Sequence, residues 1–256
     1  MRTNALQELW TAGHVAVNAW LTIPSGWTAE LMSHCGFDSV LIDMQHGLID
    51  FEMTVSMLQA ISTTSTVPLV RVPWNEPGIL MRVLDAGAFG IVCPMINTAE
   101  QARTFVGACR YPPAGFRSYG PVRGLLYGGD DYVQRANNTI LTLALIETAE
   151  ALKNLEGIAS VEGLSGLYVG PSDLSMSLGI AKRADFDDPK MQEALRHILE
   201  TAQRHQLIAG VQAGSVDNAL RLAAMGFRLV TPMTDSALLQ SASRSVAAQM
   251  RALHGS

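Results

Sequence analysis

At 256 residues the chain is long enough to bury roughly three quarters of its unfolded surface, as one large domain or two small ones. Charged residues make up 16% against 48% apolar, and the net charge of −5 has no basic block behind it, which argues against nucleic acid or an anionic membrane surface as partner. No run approaches the ~18 consecutive apolar residues of a membrane span and the N-terminus lacks a secretory pattern, so a cytoplasmic protein is expected, its apolar surplus pointing to a subunit interface.

Apolar runs alternate with helix-period segments from end to end. Strands are expected near residues 15–22, 39–44, 67–72, 89–95, 141–147, 165–170, 208–212 and 227–232, with helices such as 28–36, 51–64, 76–87 and 99–110 between them. Eight strand–helix units in this length fit a (β/α)8 TIM barrel, read as one domain over 1–256. The interval 111–140 breaks the rhythm with Tyr111-Pro112-Pro113-Ala114-Gly115-Phe116-Arg117 and a later polar helix. Long insertions of this kind are expected to form an active-site lid or binding loop at the carboxyl face. The last segment, 236–254, reads as an apolar-striped helix that closes the barrel or packs on a neighbouring subunit. Cys35, Cys93 and Cys109 are too few and too scattered for a disulfide framework or a zinc ribbon, and are read as buried thiols.

Barrels of this type carry their chemistry just after the strands. Glu147 closes the run Leu141-Thr142-Leu143-Ala144-Leu145-Ile146, and Asp173 follows Leu167-Tyr168-Val169-Gly170-Pro171-Ser172. A buried carboxylate needs a partner charge, and neither has a matched Lys or Arg beside it, which points to a divalent metal such as magnesium or manganese. The competing reading is that each caps the following helix. Arg71 ends an otherwise apolar run, Val67-Pro68-Leu69-Val70, as an anion-holding group or as half of a structural ion pair. His46 sits in a Gln-His-Gly turn three residues after Asp43, a carboxylate expected to raise its basicity and fix its tautomer. The turn Gly170-Pro171-Ser172-Asp173 exposes amides where a carboxylate or phosphate docks. Trp74 and Arg117 either line a pocket or cover surface.

Six ordered blocks of this sequence, taken together, resemble the HpcH/HpaI family of class II pyruvate aldolases: Ile42-Asp43-Met44-Gln45-His46-Gly47, Pro68-Leu69-Val70-Arg71-Val72-Pro73-Trp74, Cys93-Pro94-Met95-Ile96, Arg110-Tyr111-Pro112-Pro113-Ala114-Gly115-Phe116-Arg117, Ile146-Glu147-Thr148 and Val169-Gly170-Pro171-Ser172-Asp173-Leu174-Ser175. The resemblance implies a (β/α)8 barrel, a divalent metal (magnesium, manganese or cobalt), and a homohexamer built as a trimer of dimers that exchange a C-terminal helix. It assigns Glu147 and Asp173 to the metal, Arg71 to the pyruvyl oxygen, His46 to acid/base work, and Asp85 to a neighbouring subunit's site. The Gly170–Asp173 turn, through Gly170, Pro171 and Ser172, is assigned to the pyruvate carboxylate. Gln45 and Leu145 stand where many members carry Glu and Gln, a change in the polar surround of the site, and the Gln45-His46-Gly47 version resembles a branch of hydroxy-ketoacid aldolases that also accept hydroxypyruvate.

The implied chemistry is cleavage or formation of a 4-hydroxy-2-oxo acid from pyruvate or hydroxypyruvate and an aldehyde, through a metal-stabilised enolate. The absence of a strand-end lysine disfavours a Schiff-base aldolase. Alternatives are a lyase acting on acyl-CoA thioesters and a metal-dependent 2-oxo-acid binding protein without catalysis.

Overall fold

The computed structural model describes residues 1–251. Eight parallel strands close into a barrel: β1 (Ala16–Leu21), β2 (Ser39–Asp43), β3 (Val67–Arg71), β4 (Gly90–Cys93), β5 (Leu141–Ile146), β6 (Gly166–Val169), β7 (Ile208–Gln212) and β8 (Leu229–Thr231). Each pairs with its sequence neighbours and β1 also pairs with β8, so the sheet has no free edge. The (β/α)8 architecture read from the alternating pattern is the one observed.

Side-chain alternation along the strands separates two cores. Ala19, Leu21, Val40, Ile42, Val70, Ile91, Ala144, Ile146 and Val169 face outward and pack under the helices. The intervening Trp20, Leu41, Leu69, Val92, Leu143, Leu145, Tyr168 and Leu229 fill the barrel interior. Glycines make room for the larger members: a Cβ on Gly210 would lie 2.5 Å from the Tyr168 ring, and one on Gly90 2.7 Å from Leu69. Asp43, Arg71 and Glu147 occupy the next inward positions toward the carboxyl ends, where the apolar filling stops.

Helices begin where the sequence supplies an oxygen for orphan amides. Ser25, Asp50, Glu76 and Ser215 each accept from the first turn, and Thr98 with Gln101 forms a capping box. The helix expected over 51–64 stops at Ile61, because Ser62, Thr63 and Thr64 turn their hydroxyls back to the carbonyls of Gln59, Ala60 and Ile61.

The amino end of the barrel is closed by the helix Ala5–Thr11, whose Leu6 is fully buried in the interior core. The segment 111–140 lies at this same end, which corrects its reading as a lid or binding loop at the carboxyl face of its own barrel. It follows the helix Ala99–Cys109, which has already returned the chain from the carboxyl face, and it leads into the start of β5. Its helices Val122–Gly128 and Tyr132–Thr139 are tied to the barrel floor: Arg123 donates to the carbonyls of Ala86 and Leu58, Tyr127 packs edge-on against Phe89, and the Thr139 carbonyl accepts from Asn4.

The last helix, Asp235–Arg251, is anchored at its first residue, whose buried carboxylate accepts from the Thr22 and Ile23 amides at the end of β1. Beyond that point it exposes apolar side chains, with Leu239 62%, Val246 61% and Met250 59% accessible. Positions 252–254 of the expected helix lie outside the described residues. Cys93 and Cys109 are buried as expected, whereas Cys35 is exposed because it sits on the turn after the helix Gly26–Ser33. Among the described residues no helix is long and apolar enough to cross a membrane.

Candidate active site

A cavity of about 410 Å³ opens at the carboxyl ends of the strands. Its wall carries Asp43, His46, Arg71, Leu145, Glu147 and the turn Gly170–Asp173, all singled out from the sequence. Trp20, Thr22, Tyr168, Met176, Arg183, Gln212 and Thr234 also line it. These were missed, although Trp20 and Gln212 could have been found: each is the last inward position of its strand, two residues beyond Asn18 and Gly210.

Asp43 and Arg71 are direct partners in the β2–β3 register. The Arg71 guanidinium donates from Nε and Nη2 to the two carboxylate oxygens at 2.8 and 2.6 Å, and Trp20 Nε1 donates to Oδ2 at 3.1 Å. The backbone amides of Gln45 and His46 add bonds to Oδ1 at 3.0 and 3.2 Å. Burial by itself would raise the Asp43 carboxyl, but the Arg71 bonds and charge, with those of Trp20 and His46, hold it below the ordinary range. The Arg71 plane also lies over the Trp20 ring, 4.7 Å from its centroid.

This arrangement corrects the expectation for His46. Asp43 spends both oxygens on Arg71, Trp20 and two amides, so it does not orient the imidazole. The His46 side chain is exposed to the cavity and its contact with Asp43 is through the main chain alone. For Arg71, the structural ion pair is observed, with Asp43, and the residue also lines the cavity.

Glu147 is 2% exposed at the end of β5. Its Oε1 accepts from the Met95 amide at 2.8 Å, presented by a Met95 backbone at φ 55°, a left-handed conformation unfavourable for a side chain of this size. Gly170 is required beside it, because a Cβ there would lie 2.5 Å from Glu147 Oε2. Burial pushes the Glu147 carboxyl up to about 7; the Met95 amide opposes this, the nearby Asp173 charge adds to it, and Arg71 opposes it.

Helix capping does not account for either carboxylate. Thr148 caps the helix after Glu147, and Gly170 is the N-cap of Pro171–Ser177 with no side-chain cap bond from Asp173. Neither enters an ion pair among the described residues. Two uncompensated carboxylates, one of them buried, form an oxygen donor set suited to a hard divalent cation. Among the described residues no group of three or more His, Cys, Asp or Glu converges, so such an ion would draw its other ligands from substrate and water.

The remaining sequence-predicted residues lie outside this cavity. Trp74 is 56% exposed beyond β3, and Gln45 is part-buried with its Oε1 unpartnered. Asp85 and Arg117 are paired at 2.7 Å, with Arg117 also donating to Tyr132 on the floor side. Arg117 is 1% exposed and does not line the cavity of its own chain, because it belongs to the 111–140 segment at the opposite end.

Residues 18–242 match the model of the HpcH/HpaI aldolase/citrate lyase family, nearly the whole barrel. The chain belongs to the HpcH/HpaI aldolase/citrate lyase family. It is 40% identical over 250 residues to a hydroxypyruvate/pyruvate aldolase of Rhizorhabdus wittichii, covering 98% of this chain and all of that one. It is 34% identical over 252 residues to a 4-hydroxy-2-oxo-heptane-1,7-dioate aldolase of Escherichia coli, covering 97% of this chain and 95% of that one. Among solved structures, an HpcH/HpaI family protein from Burkholderia cenocepacia superimposes with a TM-score of 0.90 at 32% identity, over 97% of this chain and all of the other. This family member is accordingly an aldolase, a carbon–carbon lyase.

Proposed function

We propose that this aldolase interconverts a 4-hydroxy-2-oxo acid with an aldehyde and a short 2-oxo acid, pyruvate or hydroxypyruvate, and that it is metal-dependent. The observation that carries the reading is one cavity in which an unpaired carboxylate couple, Glu147 and Asp173, faces a guanidinium already fixed by Asp43. Glu147 and Asp173 would hold magnesium, manganese or cobalt, which as a Lewis acid acidifies the carbon next to a chelated keto group.

The chain's own groups account for the rest. Arg71 gives Nε and Nη2 to Asp43 and keeps Nη1 for the keto oxygen, where negative charge develops as the C3–C4 bond breaks. Because Asp43 fixes the guanidinium in advance, little reorganisation is needed as that charge appears. The amides of Ser172 and Asp173, in the first turn of their helix, have no intrahelical acceptor and suit the 2-oxo acid carboxylate. His46 presents to the cavity an imidazole that makes no hydrogen bond among the described residues, able to take the C4 hydroxyl proton in cleavage and return it in synthesis. Trp20, Leu145 and Tyr168 form a floor that keeps bulk water from the reacting carbon. No lysine lines the cavity among the described residues, consistent with chemistry that does not pass through an imine.

The assembly proposed is a homohexamer of helix-exchanged dimers, working on soluble metabolites in the cytoplasm, with Asp85 delivered toward a neighbour's cavity. The apolar side chains exposed on the last helix support this. So do Trp27 and Leu31 on the helix Gly26–Ser33 and Leu220 and Met225 on Val216–Met225, the two ring helices that a partner's last helix would cover.

Incubating the protein with pyruvate in deuterium oxide tests the chemistry. Metal-dependent exchange of the methyl protons, lost with chelator, is expected. Binding of pyruvate without exchange would instead mark a non-catalytic binding protein.

A further inference from the structure

We infer that Arg183 determines acceptor specificity, selecting aldehydes, and the hydroxy-oxo acids made from them, that carry an anionic carboxylate or phosphate at the end remote from the reacting carbon. The inference rests on the aldolase reading above and adds to it the charge of the acceptor.

Arg183 lines the same cavity as Glu147, Asp173 and Arg71, but comes from residues 178–188, the connection between the helices Pro171–Ser177 and Pro189–Arg204. This connection is pinned. The Ala184 amide donates to the fully buried Ser175 Oγ at 3.0 Å, Ala184 takes a left-handed φ of 52°, and Ile180 and Phe186 are buried at 8% and 6% exposure. The residue next to Arg183 is thus fixed to the helix that carries Asp173, which holds the guanidinium's stem at the cavity mouth.

Every acidic side chain of the connection is committed elsewhere. Asp185 faces Lys182 at 3.7 Å and accepts from the Asp187 amide, Asp187 pairs with Arg221 at 2.8 Å, and Asp188 caps the following helix through the Lys190 amide. Among the described residues Arg183 enters no ion pair. The other cation of the cavity, Arg71, is neutralised by Asp43. Thr22, Gln212 and Thr234 add only neutral groups to the wall.

Charge balance then separates the two ends of the substrate. The 2-oxo acid carboxylate belongs with the divalent cation that Glu147 and Asp173 would hold and with the Ser172 and Asp173 amides, leaving the mouth with one guanidinium that, among the described residues, has no ion-pair partner. A second anion on the acceptor, extending away from the reacting carbon, is the ligand chemistry that would satisfy it, by charge-assisted hydrogen bonds to the guanidinium fork.

The test measures kcat/KM for pyruvate addition to succinic semialdehyde (carboxylate) and glyceraldehyde 3-phosphate (phosphate) against butanal and glyceraldehyde (neutral), in wild type, Arg183→Ala, Arg183→Lys and Arg183→Glu. The wild type is expected to prefer an anionic acceptor; the arm in which the preference appears identifies carboxylate or phosphate. Removing one charged hydrogen-bond donor should lower the anionic-to-neutral ratio by about tenfold or more in Arg183→Ala. Arg183→Glu should lower it further, and Arg183→Lys should keep part of it. A ratio in Arg183→Ala and Arg183→Glu equal to the wild-type ratio overturns the inference, as does a wild type that shows no preference. Pyruvate methyl exchange in deuterium oxide is read in parallel. If it persists while selectivity does not respond, only the role of Arg183 falls; if the wild type itself lacks exchange, the aldolase reading falls and takes this inference with it.

Discussion

Replacing Glu147 by Gln should stabilise the metal-free protein while destroying its metal site. The Glu147 carboxyl is pushed up to about 7 from an ordinary 4.5, first by burial and then by the neighbouring Asp173 charge, against the Met95 amide and Arg71. A carboxyl that binds its proton more tightly folded than unfolded contributes stability that is present below pH 4.5 and lost as pH rises through 7. At about 1.4 kcal/mol per pH unit the difference corresponds to about 3 kcal/mol, most of it lost between pH 5 and pH 8. Glutamine keeps the acceptor for the Met95 amide and carries no charge to desolvate. Urea unfolding of chelator-treated protein, followed by circular dichroism at fixed protomer concentration, should therefore show Glu147→Gln gaining on the wild type as pH rises, by about 3 kcal/mol at pH 8. Magnesium or manganese should then raise the wild-type midpoint at pH 8 and leave that of Glu147→Gln unmoved. Parallel pH profiles for the two proteins would refute the claim that Glu147 is a buried charge awaiting a cation.

The other expectations concern the same cavity and the assembly. Gly170→Ala should weaken divalent-metal affinity by about tenfold or more in calorimetric titration with the fold intact, since the three atoms nearest the new Cβ all belong to the Glu147 side chain, which it displaces. Arg71→Ala should abolish pyruvate methyl exchange and also cost about 3 kcal/mol in unfolding experiments, because it leaves Asp43 buried without its counter-charge and its carboxyl then rises; Arg71→Ala combined with Asp43→Asn should recover part of that stability but not the exchange. His46→Ala should slow cleavage by about 100-fold and leave stability within about 0.5 kcal/mol, as among the described residues its exposed ring makes no hydrogen bond; a negligible rate effect would make it a bystander. Truncation after Leu238 should convert the assembly to smaller species by light scattering, and an unchanged mass would remove the last helix from the interface.

Much of the site was legible because strand alternation is a local property. Glu147, Arg71 and Asp43 stand out as charges at inward positions where apolar runs end, and a charge there has to be paired or ligated wherever the strand sits. Trp20 and Gln212 obey the same rule but were hidden, since an aromatic ring or an amide at the end of a strand is equally at home in a core or on a surface. Arg183 carried no signal: a cation in a connection is ordinary, and what distinguishes it is which acidic neighbours are already spoken for.

The sequence by itself determined the eight strand–helix units of the barrel and the charges that end apolar runs at Asp43, Arg71 and Glu147, because both follow from the pattern within single elements; the division into outward and inward cores came with the closed sheet. Tertiary structure decided the pairings. The β2–β3 register sets Asp43 opposite Arg71 and so takes that carboxylate away from His46, three residues along the chain. The return path of the helix Ala99–Cys109 puts the 111–140 segment on the floor instead of over the cavity, and Arg117 with it. Partner choice depends on strand register and on which end of the barrel a connection occupies, and both are relations between elements that no single stretch of sequence carries.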